Sequence, residues 1–185
     1  MTGDGNLGIW GALANVYPDA AEQRCWNHKM VNVLDKLPQK VQPQAKRRLQ
    51  DIVYAESRPE AEAKRDDFLA WCRQEGYRAT GDTLLRDWDR MVTFYQFPKE
   101  HWKHLRTTNV VESPFAALRL RTDAAKRYKK VENATVVIWK MLMLAERRFR
   151  RLDAPEKLMQ VYLGFGVAEP RKGTEIKREE VLAVA

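Results

Sequence analysis

Two acidic residues far apart in the sequence, Asp4 and Glu112, stand where a carboxylate could bind a metal ion. Asp4 is followed by Gly5 and an apolar segment, which fits a carboxylate at the end of a strand holding a divalent cation. The same pattern fits an Asp-Gly turn or a helix N-cap, and for such a short motif the turn is the commoner case. The sequence thus offers two candidate ligands for a hard cation.

Glu112 fits two helical frames. If Asn109 is the N-cap, Asn109 and Glu112 match a capping box, but Pro114 then falls inside the helix. If Ser113 is the N-cap, Pro114 takes the favoured first helical position and Glu112 stands just outside the helix. Capping and metal binding both remain open on these local grounds.

Cys25 and His28 have the Cys-x2-His spacing of metal ligands. Zinc usually takes four protein ligands in a structural site, and the other cysteine and histidines are scattered along the chain. The sequence therefore argues against a structural zinc site. It predicts a strand over residues 23–28, with Cys25 as a small buried residue and His28 as a polar partner at the strand edge.

Basic residues follow Glu112, and they include Arg119, Arg121, Lys126, Arg127 and Lys129. Arg119 lies two helical turns beyond Glu112, so a helix covering both would show them on one face. A solvated surface explains each residue singly, but together they indicate a phosphate-binding face. The net charge of +8, from 33 Lys and Arg against 25 Asp and Glu, also favours a polyanionic partner.

The hydrophobic pattern predicts a mostly helical chain that would position these residues. The apolar fraction of 44% is enough for a packed core. Helices are predicted at residues 7–17, 30–37, 43–56, 59–76, 83–97, 132–152 and 155–165. The helices at 43–56 and 59–76 should form an antiparallel pair, the helix at 132–152 should carry Arg147, Arg148, Arg150 and Arg151, and the polar tail should be loose.

Two features of the sequence predict the cellular compartment of the protein. Two cysteines make no disulfide framework and fit a reducing cytosol. No apolar run approaches the ~20 residues of a membrane span, and the N-terminus has no signal-peptide pattern. A cytoplasmic location away from membranes is expected.

Four segments, in this order, resemble the Mutator-type transposases of bacterial insertion sequences: GDGNLGIWGAL, YPDAAEQRCWNHKMVNVLDKLP, FYQFPKEHWKHLRTTNVVESPFAALRLRT and AERRFRRL. The resemblance implies a mainly α chain, with an incomplete ribonuclease H-like α/β core interrupted by an all-helical insertion. It also implies a catalytic Asp, Asp, Glu (DDE) triad. Asp4 corresponds to the second aspartate, Glu112 to the glutamate, and Cys25 and His28 to the Cys-x2-His element of the family.

The same resemblance implies the domains: a partial core at 1–37, the insertion at 38–98, the rest of the core at 99–154, and a helix and tail at 155–185. Asp4 and Glu112 would be catalytic ligands of Mg²⁺ or Mn²⁺. The partners implied are DNA (insertion-sequence ends and target DNA) and a second copy or a full-length transposase.

Three functions follow from these expectations. The first is a transposase fragment for metal-dependent DNA strand cleavage and transfer, expected to be inactive alone because the first aspartate would precede residue 1. The second is a non-catalytic basic helical module for DNA binding or multimerisation. The third is a helical protein-interaction adaptor, which would show no salt-sensitive DNA binding.

Overall fold

The computed structural model describes residues 1–164, and helices dominate this part, which confirms the mainly α prediction. The predicted loose tail lies outside the described residues from position 165 onward. The helices are α1 (Leu7–Val16), α2 (Trp26–Leu34), α3 (Gln42–Val53), α4 (Arg58–Gln74), α5 (Arg78–Leu85), α6 (Trp88–Met91), α7 (Trp102–Leu105), α8 (Asn109–Ala124), α9 (Val131–Glu146) and α10 (Leu158–Tyr162). Short 3₁₀ helices cover Thr93–Gln96, Lys99–His101 and Pro155–Lys157.

Two short parallel strands, β1 (Thr2–Gly3) and β2 (Gln23–Arg24), form the only sheet in the described residues. Thr2 pairs with Gln23 and Gly3 with Arg24, and the connection between the strands contains α1. Because parallel strands need a crossover connection, the chain makes a small βαβ unit at its beginning. The larger ribonuclease H-like core remains a prediction.

The predicted strand over residues 23–28 is wrong beyond Arg24, because α2 begins at Trp26. Cys25 occupies the N-cap position in an extended conformation, and its side chain makes no capping bond. The Trp26 amide donates instead to the Arg106 carbonyl at 2.9 Å. A residue from another part of the chain thus satisfies a donor at the start of α2, where local sequence offers no cap.

The helical pair α3 and α4 confirms the two helices predicted in the middle of the chain. The four residues predicted on the inner side of α3 are all buried: Ala45, Leu49, Ile52 and Val53. Ser57 caps α4 by accepting a hydrogen bond from the Glu60 amide, and Gly76 follows the helix with a φ of +79°. These are ordinary start and stop signals that the sequence carries locally.

The single helix predicted over residues 83–97 is wrong, because the chain breaks there into α5, α6 and a 3₁₀ turn. The break lets the Met91 carbonyl accept hydrogen bonds from Trp26 Nε1 (2.9 Å) and Gln23 Nε2 (3.1 Å). It also places Asp87 beside Lys29, with a Nζ to Oδ2 distance of 2.7 Å. Buried polar groups at the start of α2 are therefore satisfied by this segment, at the expense of helical continuity.

One hydrophobic core joins the first, middle and later segments of the chain. It contains Trp26, Val33 and Leu37 before the predicted insertion, residues throughout α3 to α6, and Trp102 after it. The core therefore crosses the predicted boundaries at 37/38 and 98/99, and the division into domains remains a prediction.

Helices α8 and α9 pack against each other, but α9 buries none of its residues within the described structure. Its exposed apolar side chains include Val136, Trp139, Met143 and Leu144. The helix ends at Glu146, so the prediction that it extends to residue 152 and carries the four arginines is wrong. Like charges three and four residues apart destabilise a helix, which accounts for its end before the arginine run.

No helix in the described part of the chain is both long and apolar enough to cross a membrane.

Candidate metal and DNA site

Helix α8, which carries Glu112, begins one residue before the predicted frame with Asn109 as N-cap and five residues before the frame with Ser113. Thr108 is its N-cap, Asn109 is its first residue, and Pro114 lies inside it. The frame with Ser113 as N-cap is therefore wrong, and so is the capping box from Asn109. An interior proline costs about 3 kcal/mol in an ordinary helix, so other contacts must stabilise the start of α8.

Those contacts come from the beginning of the chain. Side chains and backbone around β1 and α2 form hydrogen bonds with the segment that leads into α8. They join Thr2 Oγ1 to the Leu105 carbonyl (2.8 Å), the Trp26 amide to the Arg106 carbonyl (2.9 Å), and Asn27 Nδ2 to Asn109 Oδ1 (2.8 Å). The first turn of α8 is thereby held over the end of the βαβ unit.

Docking of α8 brings Glu112 beside Cys25 and His28. His28 Nδ1 lies 3.3 Å from Cys25 Sγ and 3.6 Å from Glu112 Oε1. Thr108 connects the same groups, since its amide (3.3 Å) and hydroxyl (3.2 Å) contact Cys25 Sγ and its hydroxyl also contacts Glu112 Oε1. A hydroxyl has one proton, so Thr108 donates to only one of these acceptors at a time.

The cluster is closed on the sulfur side and open on the other. Cys25 is fully buried, as predicted, whereas the side chains of His28 and Glu112 are 41% and 45% exposed. His28 lies on α2, so its predicted position at a strand edge is wrong. Solvent and ions can therefore reach the imidazole and the carboxylate.

Hydrogen bonding within the cluster shifts two pKa values in opposite directions. Burial raises the pKa of Cys25, but hydrogen bonds from Thr108 and His28 outweigh it, so the pKa of this thiol is lowered overall. The pKa of His28 is raised, chiefly by its hydrogen bond with Cys25 and further by the charges of Cys25, Glu112 and Asp4, although burial opposes this. Both shifts favour a thiolate beside an imidazolium.

Asp4 directly follows β1 and is exposed. Its Oδ1 accepts a hydrogen bond from the Asn6 amide at 2.9 Å, so Asp4 does form a local turn. Gly5 has a φ of +96°, and a Cβ added there would lie 1.4 Å from Nη1 of the buried Arg24. Only glycine fits this position without displacing the guanidinium.

The structure brings three of the four predicted site residues together. Ligand atoms of Cys25, His28 and Glu112 all lie within 4.8 Å of one another. Asp4 is outside this group, although its charge contributes to the raised pKa of His28. Joint metal binding by Asp4 and Glu112 remains a prediction.

The five basic residues predicted to bind DNA are all exposed. Arg119 and Arg121 lie on α8, whereas Lys126, Arg127 and Lys129 lie between α8 and α9. At about 100° per residue, Arg119 shares a face with Glu112, and Arg121 points to nearly the opposite face. DNA contact by these residues remains a prediction.

Comparison with known proteins relates this arrangement to a family. The model of the Mutator-family transposases matches residues 1–151, which is most of the chain and includes the complete cluster. The chain belongs to the Mutator family of transposases. The resemblance read from the sequence is confirmed.

Individual Mutator-family relatives agree with this assignment. The chain is 41% identical over 162 residues to the transposase for insertion sequence element IST2 of Acidithiobacillus ferrooxidans, covering 88% of this chain and 54% of that protein. It is 38% identical over 162 residues to the transposase for insertion sequence element IS6120 of Mycolicibacterium smegmatis, covering 88% of this chain and 50% of that protein. The chain spans about half the length of these curated relatives.

Sequence reasoning missed Thr108, which holds both Cys25 and Glu112 in this Mutator-family chain. A local signal existed, because Thr108 and Glu112 are four residues apart and would meet on one helical face. The contact with Cys25 spans 83 positions and had no comparable signal.

Proposed function

We propose that this chain is part of a transposase that cleaves and joins DNA strands, and that it acts on insertion-sequence ends and target DNA. Membership of the Mutator family supports the class of reaction. The observation that carries the proposal is the position of Glu112, which α8 brings beside the imidazole of His28. Glu112 lies 3.6 Å from His28, and the charge of Asp4 acts on the same ring. DNA in the bacterial cytoplasm would be the substrate, so the function goes with a cytoplasmic location.

The donor chemistry of Asp4 and Glu112 fits Mg²⁺ or Mn²⁺. Both side chains offer carboxylate oxygens, which hard divalent cations prefer. Among the described residues, contacts to these side chains use Asp4 Oδ1 and Glu112 Oε1, so the second oxygen of each is available. When bound, the cation would activate the attacking hydroxyl and stabilise the leaving oxygen of a phosphodiester.

The protein's own residues would prepare this site. Thr108 orients the Glu112 carboxylate, and the hydrogen bonds from β1 and α2 hold the start of α8 in place. Arg119 lies two turns farther along the same face of α8 and would contact a DNA phosphate beside the site. Together these groups would bind and orient the strand without reading its bases.

We further propose that the 185 residues alone do not complete strand transfer. A two-metal site needs several anionic ligands, and Asp4 and Glu112 supply only two carboxylates. A further aspartate is expected from elsewhere in the complete transposase, as the family's triad implies. Mn²⁺ tolerates imperfect geometry better than Mg²⁺ and is the better probe for binding to this chain.

Binding of Mn²⁺, followed by electron paramagnetic resonance, tests the proposed ligands. Asp4→Asn and Glu112→Gln should each weaken Mn²⁺ binding by tenfold or more, because each removes an anionic ligand. Glu132→Gln is the matched control, since Glu132 is an exposed carboxylate in the first turn of α9. Equal Mn²⁺ affinity in the wild type, Asp4→Asn and Glu112→Gln would exclude this pair as the metal site.

A second function, multimerisation, is favoured by the exposed apolar side chains of α9. Val136 and Trp139 are 63% and 59% exposed, and large apolar surfaces of this kind commonly mark protein interfaces. A second copy or a full-length transposase would be the partner. In sedimentation velocity, the double change of Val136 and Trp139 to Lys should abolish self-association. The same change at the exposed Val31 and Leu85 is the control and should leave it intact.

A further inference from the structure

We propose that Cys25, His28 and Glu112 form a binding site for Zn²⁺, separate in its ligand chemistry from the Mg²⁺ or Mn²⁺ site. The sequence pointed away from zinc because no second pair of ligands lies near Cys25 and His28. The fold supplies the missing ligand from α8, 84 positions beyond His28. Ligand atoms of all three residues lie within 4.8 Å of one another.

Two of the three separations between these atoms match those of a tetrahedral zinc site, and the third is within 4.8 Å. Zn–S and Zn–N or Zn–O distances of ~2.3 and ~2.1 Å at tetrahedral angles place neighbouring ligand atoms ~3.5 Å apart. Cys25 Sγ and His28 Nδ1 are 3.3 Å apart, and His28 Nδ1 and Glu112 Oε1 are 3.6 Å apart. His28 Nδ1 is therefore already at coordinating distance from both other ligands, and a cation would draw Cys25 Sγ and Glu112 Oε1 to the same spacing.

Three protein ligands leave a fourth position for water, which is the arrangement of open zinc sites. The Cys25 sulfur lies on the buried side of the site, and the half-exposed His28 imidazole and Glu112 carboxylate lie on the solvent side. Thr108 supports the ligands as their outer partner, since its amide and hydroxyl contact the sulfur and its hydroxyl contacts the carboxylate. Such outer hydrogen bonds typically fix the orientation of metal ligands.

Sulfur decides which cation this site prefers. Thiolate and imidazole favour Zn²⁺ and similar borderline ions over Mg²⁺, which takes oxygen ligands. If Glu112 also serves strand transfer, a consequence that depends on the proposed function, Zn²⁺ would occupy this carboxylate and inhibit the reaction. Glu112 would then be shared by a site for activity and a site for inhibition.

Titration of the reduced 185-residue chain with Co²⁺, a coloured substitute for Zn²⁺, tests the site directly. We expect one Co²⁺ per chain, a thiolate-to-cobalt charge-transfer band, and loss of the band on addition of one equivalent of Zn²⁺. Cys25→Ser should remove the band, and His28→Gln and Glu112→Gln should weaken Co²⁺ binding at least tenfold. Cys72→Ser is the matched control, because Cys72 is the other buried free thiol, and should keep the band.

Two outcomes would overturn the zinc site: no charge-transfer band in the wild type, or a band that survives in Cys25→Ser. Replacement of the exposed His28 and Glu112 should not unfold the chain, so loss of Co²⁺ binding in these variants reports on ligands. Asp4→Asn separates the two proposals. It should leave Co²⁺ binding intact while reducing Mn²⁺ binding, so either metal site can fail without the other.

Discussion

Thr108 and Glu112 lie one helical turn apart at the start of α8, and the Thr108 hydroxyl donates a hydrogen bond to Glu112 Oε1. The same hydroxyl contacts Cys25 Sγ at 3.2 Å. One small polar residue therefore links the carboxylate that we propose as a metal ligand with the buried thiol at the start of α2.

Thr108→Val should loosen Glu112 while keeping the shape of the side chain. A hydrogen bond to a charged group contributes about 1.5–3 kcal/mol, so we expect at least a tenfold loss of Mn²⁺ affinity. Calorimetric titration would measure it. Thr135→Val is the control, because the Thr135 hydroxyl donates to the Val131 carbonyl within α9. Unchanged affinity in Thr108→Val would show that Thr108 does not position Glu112.

The linked titration of Cys25 and His28 can be followed by NMR of the imidazole nitrogens. The pKa of His28 should exceed its usual 6.5, because the hydrogen bond with Cys25 favours the charged ring. In Cys25→Ala it should fall towards 6.5, and in Cys72→Ala it should not change. A His28 pKa unaffected by Cys25→Ala would contradict the assigned cause.

These shifts also fix how stability depends on pH. The contribution of His28 is fully present below pH 6.5 and is lost as the pH rises through its raised folded-state pKa. The contribution of Cys25 has the opposite sign, because its folded-state pKa is lowered from 9.0. It appears as the pH rises through that lowered pKa and is complete above 9.0. The free energy of unfolding, measured with denaturant for the wild type and Cys25→Ala between pH 6 and 9, would separate the contribution of His28 from that of Cys25.

Asp87→Asn should destabilise the fold by about 3 kcal/mol, since removing one partner leaves a buried charge unpaired. Lys29 is only 3% exposed and donates to Asp87 Oδ2 at 2.7 Å. Chemical denaturation would measure the loss of unfolding free energy. Asp66→Asn is the control, because Asp66 is 63% exposed and should matter by less than about 0.5 kcal/mol.

The Asp87 interaction also predicts acid sensitivity. Burial raises the pKa of Asp87, but the hydrogen bond and charge of Lys29, with the charges of Arg24 and Arg90, lower it below 3.8 overall. The stabilisation is therefore present above pH 3.8 and is lost as the pH falls through the lower folded-state pKa. An Asp87→Asn variant with wild-type stability at neutral pH would contradict both expectations.

DNA binding should depend on salt through Arg119 and Arg121. Replacing both by Ala should reduce the slope of log K against log salt by about two if each contacts one phosphate. The single variants Arg119→Ala and Arg121→Ala show which face of α8 contacts DNA, since of these two residues Arg119 lies on the same side as Glu112. Fluorescence anisotropy on terminal-repeat and scrambled duplexes measures this, with Arg47→Ala as the control that matches each single variant in charge. A strong preference for the repeat would contradict binding through phosphates alone.

Features with local signals were predictable from the sequence. The Asp-Gly turn at Asp4, one of the two alternatives, was predictable because a turn needs only neighbouring residues. The helical pair α3 and α4 carries its own apolar stripe, Ser57 cap and terminal Gly76. Family membership was also recognisable, since it depends on residue identities and their order.

Features decided by distant partners were not predictable. Helix α2 starts at Trp26 because the Trp26 amide donates a hydrogen bond to the Arg106 carbonyl. No residue near Trp26 in the sequence predicts that bond. Helix α8 runs through Pro114 because its first turn is docked against β1 and α2, which overrides the local cost of proline. The inclusion of Glu112 in the Cys25 and His28 cluster follows from that docking and could not be predicted from the local sequence either.

The order of folding follows from the same docking bonds. They close loops of 80 to 103 residues, the shortest between Trp26 and Arg106 and the longest between Thr2 and Leu105. Helices α3, α4 and α5, by contrast, pack on their neighbours in sequence and can form early. We expect the carboxylate, thiol and imidazole to meet only in the last step, after helices α3 to α5 are compact. Amide hydrogen exchange at Trp26 and Thr108 should then be faster than in α3, because the site opens without unfolding the helices beneath it.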